Sequence, residues 1–231
     1  MQKLCAQLVC KLWVASVRDA SADSPVWRSI QLTATAIRVL AHPLRSRLLS
    51  ALRLDGPATA TGLAERLGTN TGATSYHLRK LASVGLVEET GEGRGRERWW
   101  RPTTEMHDWT DDAIEGDPDA KAAAGWLREH YVRQFVERAE HWLAHHDAWP
   151  LEWRRLAGSS DYMLELTTTQ LEALMQELWA VVTRVHAETT AAAESAAAGA
   201  GPGSGERDDP AERPQRILLF LHDFPDGDRP R

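Results

Sequence analysis

Along residues 29 to 84 the apolar positions recur three and four apart in four successive runs, and each run is closed by a helix breaker. Ile30, Ala34, Ile37, Leu40 and Ala41 predict a first helix over 29–41 that ends at His42-Pro43, because the residue before proline avoids the α region. A second helix restarts at Pro43, buries Leu44, Leu48, Leu49 and Leu52, and stops at Asp55-Gly56-Pro57. The segment TATGLAERLG predicts a short third helix on Leu63, Ala64 and Leu67 with Gly68 as its stop. Asn70 then caps a fourth helix running to about Val84, with Gly85 as the terminator. After it, LVEET and RERWWRP alternate on either side of GEGRGR, the pattern of a β-hairpin with Arg94 and Arg96 at its tip.

Helix, helix, short helix, tight turn, helix and hairpin, in that order, make a winged helix-turn-helix. The fold class expected is therefore mainly α with small β: a winged domain over 29–102, then an α+β or helical dimerisation or effector domain. Residues 103–119, TTEMHDWTDDAIEGDPD, are acidic and rich in breakers and predict a connector. Over 120–190 a long helix carries Leu127, Tyr131, Phe135, Ala139 and Trp142 at helical spacing, a stripe that could serve as monomer core or as a dimer seam; the seam is favoured, since the acidic connector offers it no leucine-rich partner. Asp161 to Leu166 reads as a strand, and Thr167 with Gln170 as a capping box opening a helix through Leu171, Leu174, Met175, Leu178, Val181, Val182 and Val185. Residues 191–214, rich in Ala, Gly and Pro, predict a flexible linker. Residues 215–231 supply an apolar strand, RILLFLHDFP, expected to pair with 161–166, and a tail.

Charge sharpens this division. Residues 26–102 hold 12 Lys/Arg against 6 Asp/Glu, a net of +6, whereas residues 103–231 hold 12 against 25, a net of −13. The overall charge of −6 thus hides a basic module that can face a polyanion. Of the ten tryptophans, most lie after residue 98, where they suggest large apolar anchors in a second domain or at a subunit contact.

The fourth helix, NTGATSYHLRKL, has two faces. Thr74, Leu78 and Leu81 share one side and pack on the preceding leucines. At 100° per residue the other side presents Gly72, Tyr76, Arg79 and Ser83, flanked by Ser75 and Lys80. Small residues at its start let the backbone approach a groove floor, while hydroxyls, a phenol and cations reach base edges and phosphates. Thr71, Gly72, Ser75, Tyr76 and Arg79 are expected to face the major groove, Asn70 and Lys80 to hold the DNA backbone, and Arg94, Arg96 and Arg98 to form the wing contact. His77 falls at the margin of the packed stripe and reads as a locally packed, hydrogen-bonded side chain.

With AHPLRSRLLSAL, LAERLG, SYHLRKLASVGLVEE and GRGRERWWRP in order, residues 29–102 resemble the ArsR-type transcriptional regulators. The resemblance implies a homodimer; two cysteines, with neither a disulfide scaffold nor a CxxC pair, fit a reducing cytoplasm, and the function expected is that of a sequence-specific regulator on double-stranded DNA, a homodimeric repressor. The second half is similar, more loosely, to the C-terminal part of actinobacterial helix-turn-helix regulators of the same group. Metal sensors of the ArsR type place cysteines in the helix before the reading helix; TATGLAERLG has none.

Other chemistry is thin. Cys5 and Cys10 lie in an N-terminal extension, 1–28, whose Leu4, Leu8 and Leu12 repeat at helical spacing; Lys11 interrupts the run, so neither a secretion signal nor a membrane span is expected. Glu137, His141 and His145 share a helical face where a metal could be held, although a polar helix face is the commoner meaning. Without a GxSxG, Walker loop, dinucleotide fingerprint or HExxH, no catalytic residue, metal or cofactor is expected. A winged-helix module that docks a protein instead of DNA is the competing function, and a small-molecule effector between the aromatic helices is a further one.

Overall fold

The computed structural model describes residues 28–93, 97–199, 214–222 and 224. The described residues fall into two compact units, one over Ser29–Met163 with the segment after 213, the other over 164–199.

The first unit opens with strand β1 (Ser29–Gln31), and helix α1 (Ala34–Leu40) follows. This corrects the single helix expected over 29–41. Thr33 sits in extended geometry and its hydroxyl accepts the Ala36 N–H, so it is a cap that keeps 29–31 outside the helix. Helix α2 (Pro43–Asp55) starts where proline suits the first turn, with His42 Nδ1 accepting the Leu44 N–H at 3.2 Å. Gly56, at φ 85°, closes it. Strand β2 (Ala58–Thr59) leads into helix α3 (Ala60–Leu67), closed by Gly68 in the left-handed region, and then into helix α4 (Thr71–Ala82). Strands β3 (Val87–Glu89) and β4 (Trp99–Pro102) form the antiparallel wing, with Glu88 opposite Arg101. β4 also pairs with β2, giving a three-stranded sheet in the order β2-β4-β3.

The apolar stripes of these helices converge on one core. Ile37, Leu48, Leu52, Leu63, Leu78, Leu81 and Leu86 are each at most 1% exposed and belong to one hydrophobic cluster.

Residues 103–119 are not a loose connector. Strand β5 (Met106–Asp108) pairs in parallel with β1, Ile30 opposite His107, and the Leu32 N–H donates to the Asp108 carbonyl at 2.8 Å. A short 3-10 turn at Asp111–Ala113 brings Ile114 into the core. Helix α5 (Pro118–His145) is capped by Asp117, whose carboxylate also pairs with Arg38 of α1. Ala120, Ala124 and Leu127 are fully buried in the same core, α5 lying against α1. The stripe read as a dimer seam is therefore divided: its first half is monomer core. Farther along, Val132, Val136 and Leu143 are exposed.

A polar chain fastens α2, β5 and α5 together. Arg53 Nη1 donates to His107 Nδ1 at 2.5 Å, and His107 Nε2 lies 2.6 Å from the Tyr131 hydroxyl. Arg53 Nε also donates to the Thr104 carbonyl at 3.1 Å. Burial, with Arg53 beside it, pushes the His107 imidazole down to about 3; burial likewise lowers the Arg53 guanidinium to about 10 and raises the Tyr131 phenol. His107 is thus a neutral bridge, accepting at Nδ1 and donating at Nε2.

Helix α6 (Leu151–Leu156) ends the helical run of this unit. The strands expected at 161–166 and within 215–231 do not form: 161–167 and 214–222 are irregular. A strand exists only through a paired neighbour, and neither segment has ladder bonds; instead Phe220 and His222 lay their rings against Phe135, at 5.3 and 4.9 Å. Of the two descriptions of the second half, the helical one holds.

In the second unit, helix α7 (Thr168–Gly199) opens on the expected capping box, with Thr167 N–H donating to Gln170 Oε1 at 2.9 Å and Gln170 N–H to Thr167 Oγ1 at 3.3 Å. It continues through 191–199, so that part of the predicted linker is helix; alanine has the highest helix propensity and needs no partner to extend an existing helix. No side chain of α7 whose burial is described is fully buried, and Val181 and Val185 are exposed. No helix among the described residues is long and apolar enough to cross a membrane. Cys5 and Cys10 lie outside the described residues.

Candidate nucleic-acid interface

Helix α4 is fixed at its start by Asn70, whose side-chain oxygen accepts the Ala73 N–H at 2.8 Å, and on its inner side by Thr74, Leu78 and Leu81, all at 0% exposure. We expect Asn70→Ala to lower stability by about 1 kcal/mol in urea unfolding, the usual cost of a lost N-cap, with the rest of the helix intact. That anchoring leaves the outer side uncovered within the first unit. Thr71, Gly72, Tyr76, Arg79, Lys80 and Ser83 are exposed, and Ser75 is half-buried. Tyr76 is 50% exposed, and Lys80 Nζ sits 5.7 Å from its ring centroid, so the phenol and the ammonium are presented together. Among the described residues a Cβ placed on Gly72 would touch only Asn70 Oδ1, at 3.4 Å, so none of them demands glycine there.

Beside this face lies a cluster that sequence spacing did not show. The His42 and His77 rings stand 4.4 Å apart, Tyr76 meets His77 edge-on at 5.1 Å, and Arg45 Nη1 is 3.5 Å from His77 Nδ1. Burial first, then the neighbouring His42 and Arg45 charges, hold the His77 imidazole below its ordinary range; burial and Arg45 do the same for His42. His77 is a locally packed side chain, as its position on the stripe predicts.

On the wing, Arg98 is well exposed but paired, its Nη1 2.7 Å from Glu89 Oε1, and Arg101 pairs with Glu88 at 2.8 Å. Arg94 and Arg96 lie outside the described residues. Between the wing, the start of α3 and α4 there is a cleft of about 310 Å³ lined by Thr59, Ala60, Thr61, Thr71, Ser75, Arg79, Glu97, Arg98 and Trp100. It gathers Thr71, Ser75, Arg79 and Arg98 from the sequence-derived set, and adds Thr59 and Thr61, which spacing on α4 could not reveal. At the far end of α5, His141 and His145 stack at 4.2 Å and His145 Nδ1 donates to the His141 carbonyl; no group of three metal-ligating side chains occurs among the described residues.

Residues 40–90 match the family described as a helix-turn-helix domain. Residues 29–102 thus form a winged helix-turn-helix module, and its part over 40–90 carries the sequence of that helix-turn-helix family. The chain is 41% identical over 63 residues to the HTH-type transcriptional regulator NmtR of Mycobacterium tuberculosis, an overlap of 27% of this chain and 50% of that protein. The chain thus spans half the length of the curated relative it matches. Among solved structures it is similar to the homodimeric winged helix-turn-helix DNA-binding domain of Mb0332 from Mycobacterium bovis, a possible ArsR-family transcriptional regulator. That likeness has 23% identity, covers 44% of this chain and 77% of the other, and has a TM-score of 0.28. A possible transcriptional regulator for arsenical resistance aligns at 28% identity over 46% of this chain and 96% of its own, with a TM-score of 0.27. Overlays that loose locate no contact on the face or in the cleft.

Proposed function

We propose that the protein is a sequence-specific, double-stranded-DNA-binding transcription regulator that works as a homodimeric repressor in the cytoplasm. The observation that carries this is the α4 face made by Gly72, Tyr76 and Arg79, anchored on one side by a leucine core and open on the other. A helix of that shape fits the major groove, with Thr71, Gly72, Ser75, Tyr76 and Arg79 toward base edges and Asn70 and Lys80 toward the backbone. Arg94, Arg96 and Arg98 belong to the wing contact with backbone or minor groove. Glycine at position 72, unneeded by any neighbour among the described residues, suits close approach to a groove floor.

One module reads only a few base pairs, so a twofold pair on a palindromic site supplies specific affinity. The exposed apolar side chains of the distal part of α5, Val132, Val136 and Leu143, and those of α7 support a contact between copies. A small-molecule effector held by the helical half would reveal itself as a ligand-dependent rise in melting temperature.

The test is a mobility shift with duplex from the protein's own promoter region. Wild type should bind with an affinity that falls steeply with salt, about one unit of log–log slope per phosphate contacted. Arg79→Ala should weaken binding about tenfold to a hundredfold, the loss expected for one base contact of roughly 1–3 kcal/mol. Retardation unchanged in the variant would remove α4 as the reading helix, and salt-independent association with a protein partner would favour the docking-module alternative.

A further inference from the structure

Tyr76 stands exposed on the reading face, and its ring is backed by basic side chains to which the proposed DNA contacts give no part. His77 meets Tyr76 edge-on at 5.1 Å, the His42 ring lies 4.4 Å from that of His77, and Arg45 Nη1 stands 3.5 Å from His77 Nδ1. His42 is the residue that caps α2, Arg45 belongs to the first turn of α2, and His77 comes from α4. Lys80 of α4 adds an ammonium 5.7 Å from the Tyr76 ring centroid. Besides each other, the two half-buried imidazoles therefore face a guanidinium and a phenol, and neither ring pairs with a carboxylate among the described residues.

The two rings are not equivalent. His42 Nδ1 accepts the Leu44 N–H at 3.2 Å, so a proton there would cost α2 its cap. His77 Nδ1 has only the contact to Arg45, which at 3.5 Å is long for a hydrogen bond, and its lone pair can be protonated without breaking a helix cap. In the free protein that proton is opposed by the removal of the ring from water and by the charges of His42 and Arg45. A polyanion on the α4 face offsets the charge: a phosphate within a Debye length, about 8 Å at physiological salt, favours the imidazolium.

We propose that the protein takes up a proton at His77 as α4 engages duplex DNA, so that it binds DNA more tightly at pH 6 than at pH 8. The inference rests on the DNA-binding reading and adds regulation to it. His77 needs no contact with the duplex: as an imidazolium directly behind Tyr76 it enlarges the positive charge of the face that Arg79 and Lys80 already carry. Linkage makes the effect reciprocal, DNA favouring the proton as much as the proton favours DNA.

The experiment uses the full chain and a promoter duplex at constant ionic strength between pH 8 and pH 6, with circular dichroism showing that wild type and variant are folded throughout. Wild-type affinity should rise about fivefold over the interval, the lower end of the usual range for two coupled binding events. His77→Gln, whose amide can still accept from Arg45 but cannot titrate, should change by less than about twofold, whatever its affinity at pH 8. Calorimetry at pH 6 in two buffers of different ionisation enthalpy counts the protons directly: the heat of binding should depend on the buffer for wild type and not for the variant. Should the variant melt below wild type, the Cε1 proton of His77 in the wild-type protein is titrated with and without duplex, and its midpoint should lie higher in the complex. A flat wild-type profile with buffer-independent heat, or equal midpoints, overturns the proton uptake and leaves the α4 reading standing. Uptake undiminished in His77→Gln overturns the assignment to His77. Absence of wild-type binding at every pH overturns the DNA-binding reading and this inference with it.

Discussion

Leu127→Ala should destabilise the winged domain by about 3 kcal/mol, within the usual 2–5 kcal/mol for a buried leucine, seen as a lower urea midpoint with an unchanged slope. Leu127 has no exposed surface although it lies on the helix that follows an acidic stretch, and its neighbours one and two turns earlier, Ala124 and Ala120, are buried as completely. Those alanines bring α5 close to α1, so the backbone cannot collapse further to fill the space that a missing isobutyl group leaves. Leu143→Ala, on the same helix but 73% exposed, should change stability by no more than about 0.5 kcal/mol in the monomer. A two-step transition in which Leu127→Ala shifts only a second, independent phase would show that α5 folds apart from the helix-turn-helix, contrary to the shared core.

That result would also mark where sequence pattern stops being informative. Helices α1 to α4 were legible because their signals are local: leucines at three and four, the Asn70 cap, Gly56 and Gly68 as stops. The α4 face was legible for the same reason, since projecting 100° per residue needs no partner. β1 and β5 were not, because three-residue strands have little periodicity and each becomes a strand only by pairing with a segment far away in the chain. Acidic composition hid Met106, His107, Trp109 and Ile114 in what looks like a connector, although Met106, Trp109 and Ile114 are large apolar side chains that a solvated linker has no use for. One clue was available: Arg53 lies four residues after Leu49, on the buried side of α2, and a guanidinium there needs acceptors from somewhere. The cleft escaped for a related reason. Thr59 and Thr61 belong to the turn before α3 and its first residues, and only the β2–β4 pairing carries them alongside α4 and the wing.

The helical half shows the converse failure, in which a local signal is present but its partner is not. RILLFLHDFP has the composition of a strand, yet its described part, 216–222, has no ladder and lies as an irregular segment whose Phe220 packs on Phe135 and whose Ile217 and Leu219 stay more than 60% exposed. Apolar surface left uncovered in this way, together with that of distal α5, is what a homodimer would bury. The first half of the α5 stripe lies inside the monomer core, and farther along Phe135 and Trp142 of the stripe meet Phe220 and Trp149 while Val132, Val136 and Leu143 beside them are exposed.

Acidification should weaken the fold well before its carboxylates titrate, and His107 is the reason. Its Nδ1 faces the Arg53 guanidinium at 2.5 Å and its Nε2 faces the Tyr131 hydroxyl, so a second ring proton would have to form against a cation in a buried site. A histidine whose folded value lies near 3, against 6.5 when exposed, gives stability that is complete above pH 6.5 and is lost as pH falls toward 3, because the unfolded chain takes up the proton first. At about 1.4 kcal/mol per unit, going from pH 7 to pH 5 should remove roughly 2 kcal/mol. His42, His77 and His130, held down chiefly by burial, act in the same direction; Asp108, whose carboxyl burial pushes up, acts oppositely by gaining stability when protonated. His107→Gln isolates the central group, since the amide can still accept from Arg53 and donate to Tyr131 but cannot titrate. Its unfolding free energy should fall less steeply than that of wild type between pH 7 and pH 5, by about 2 kcal/mol over the interval. Parallel profiles for the two proteins would mean that His107 is solvated in the native state, and with it would go the polar chain that ties β5 and α5 to the helix-turn-helix core.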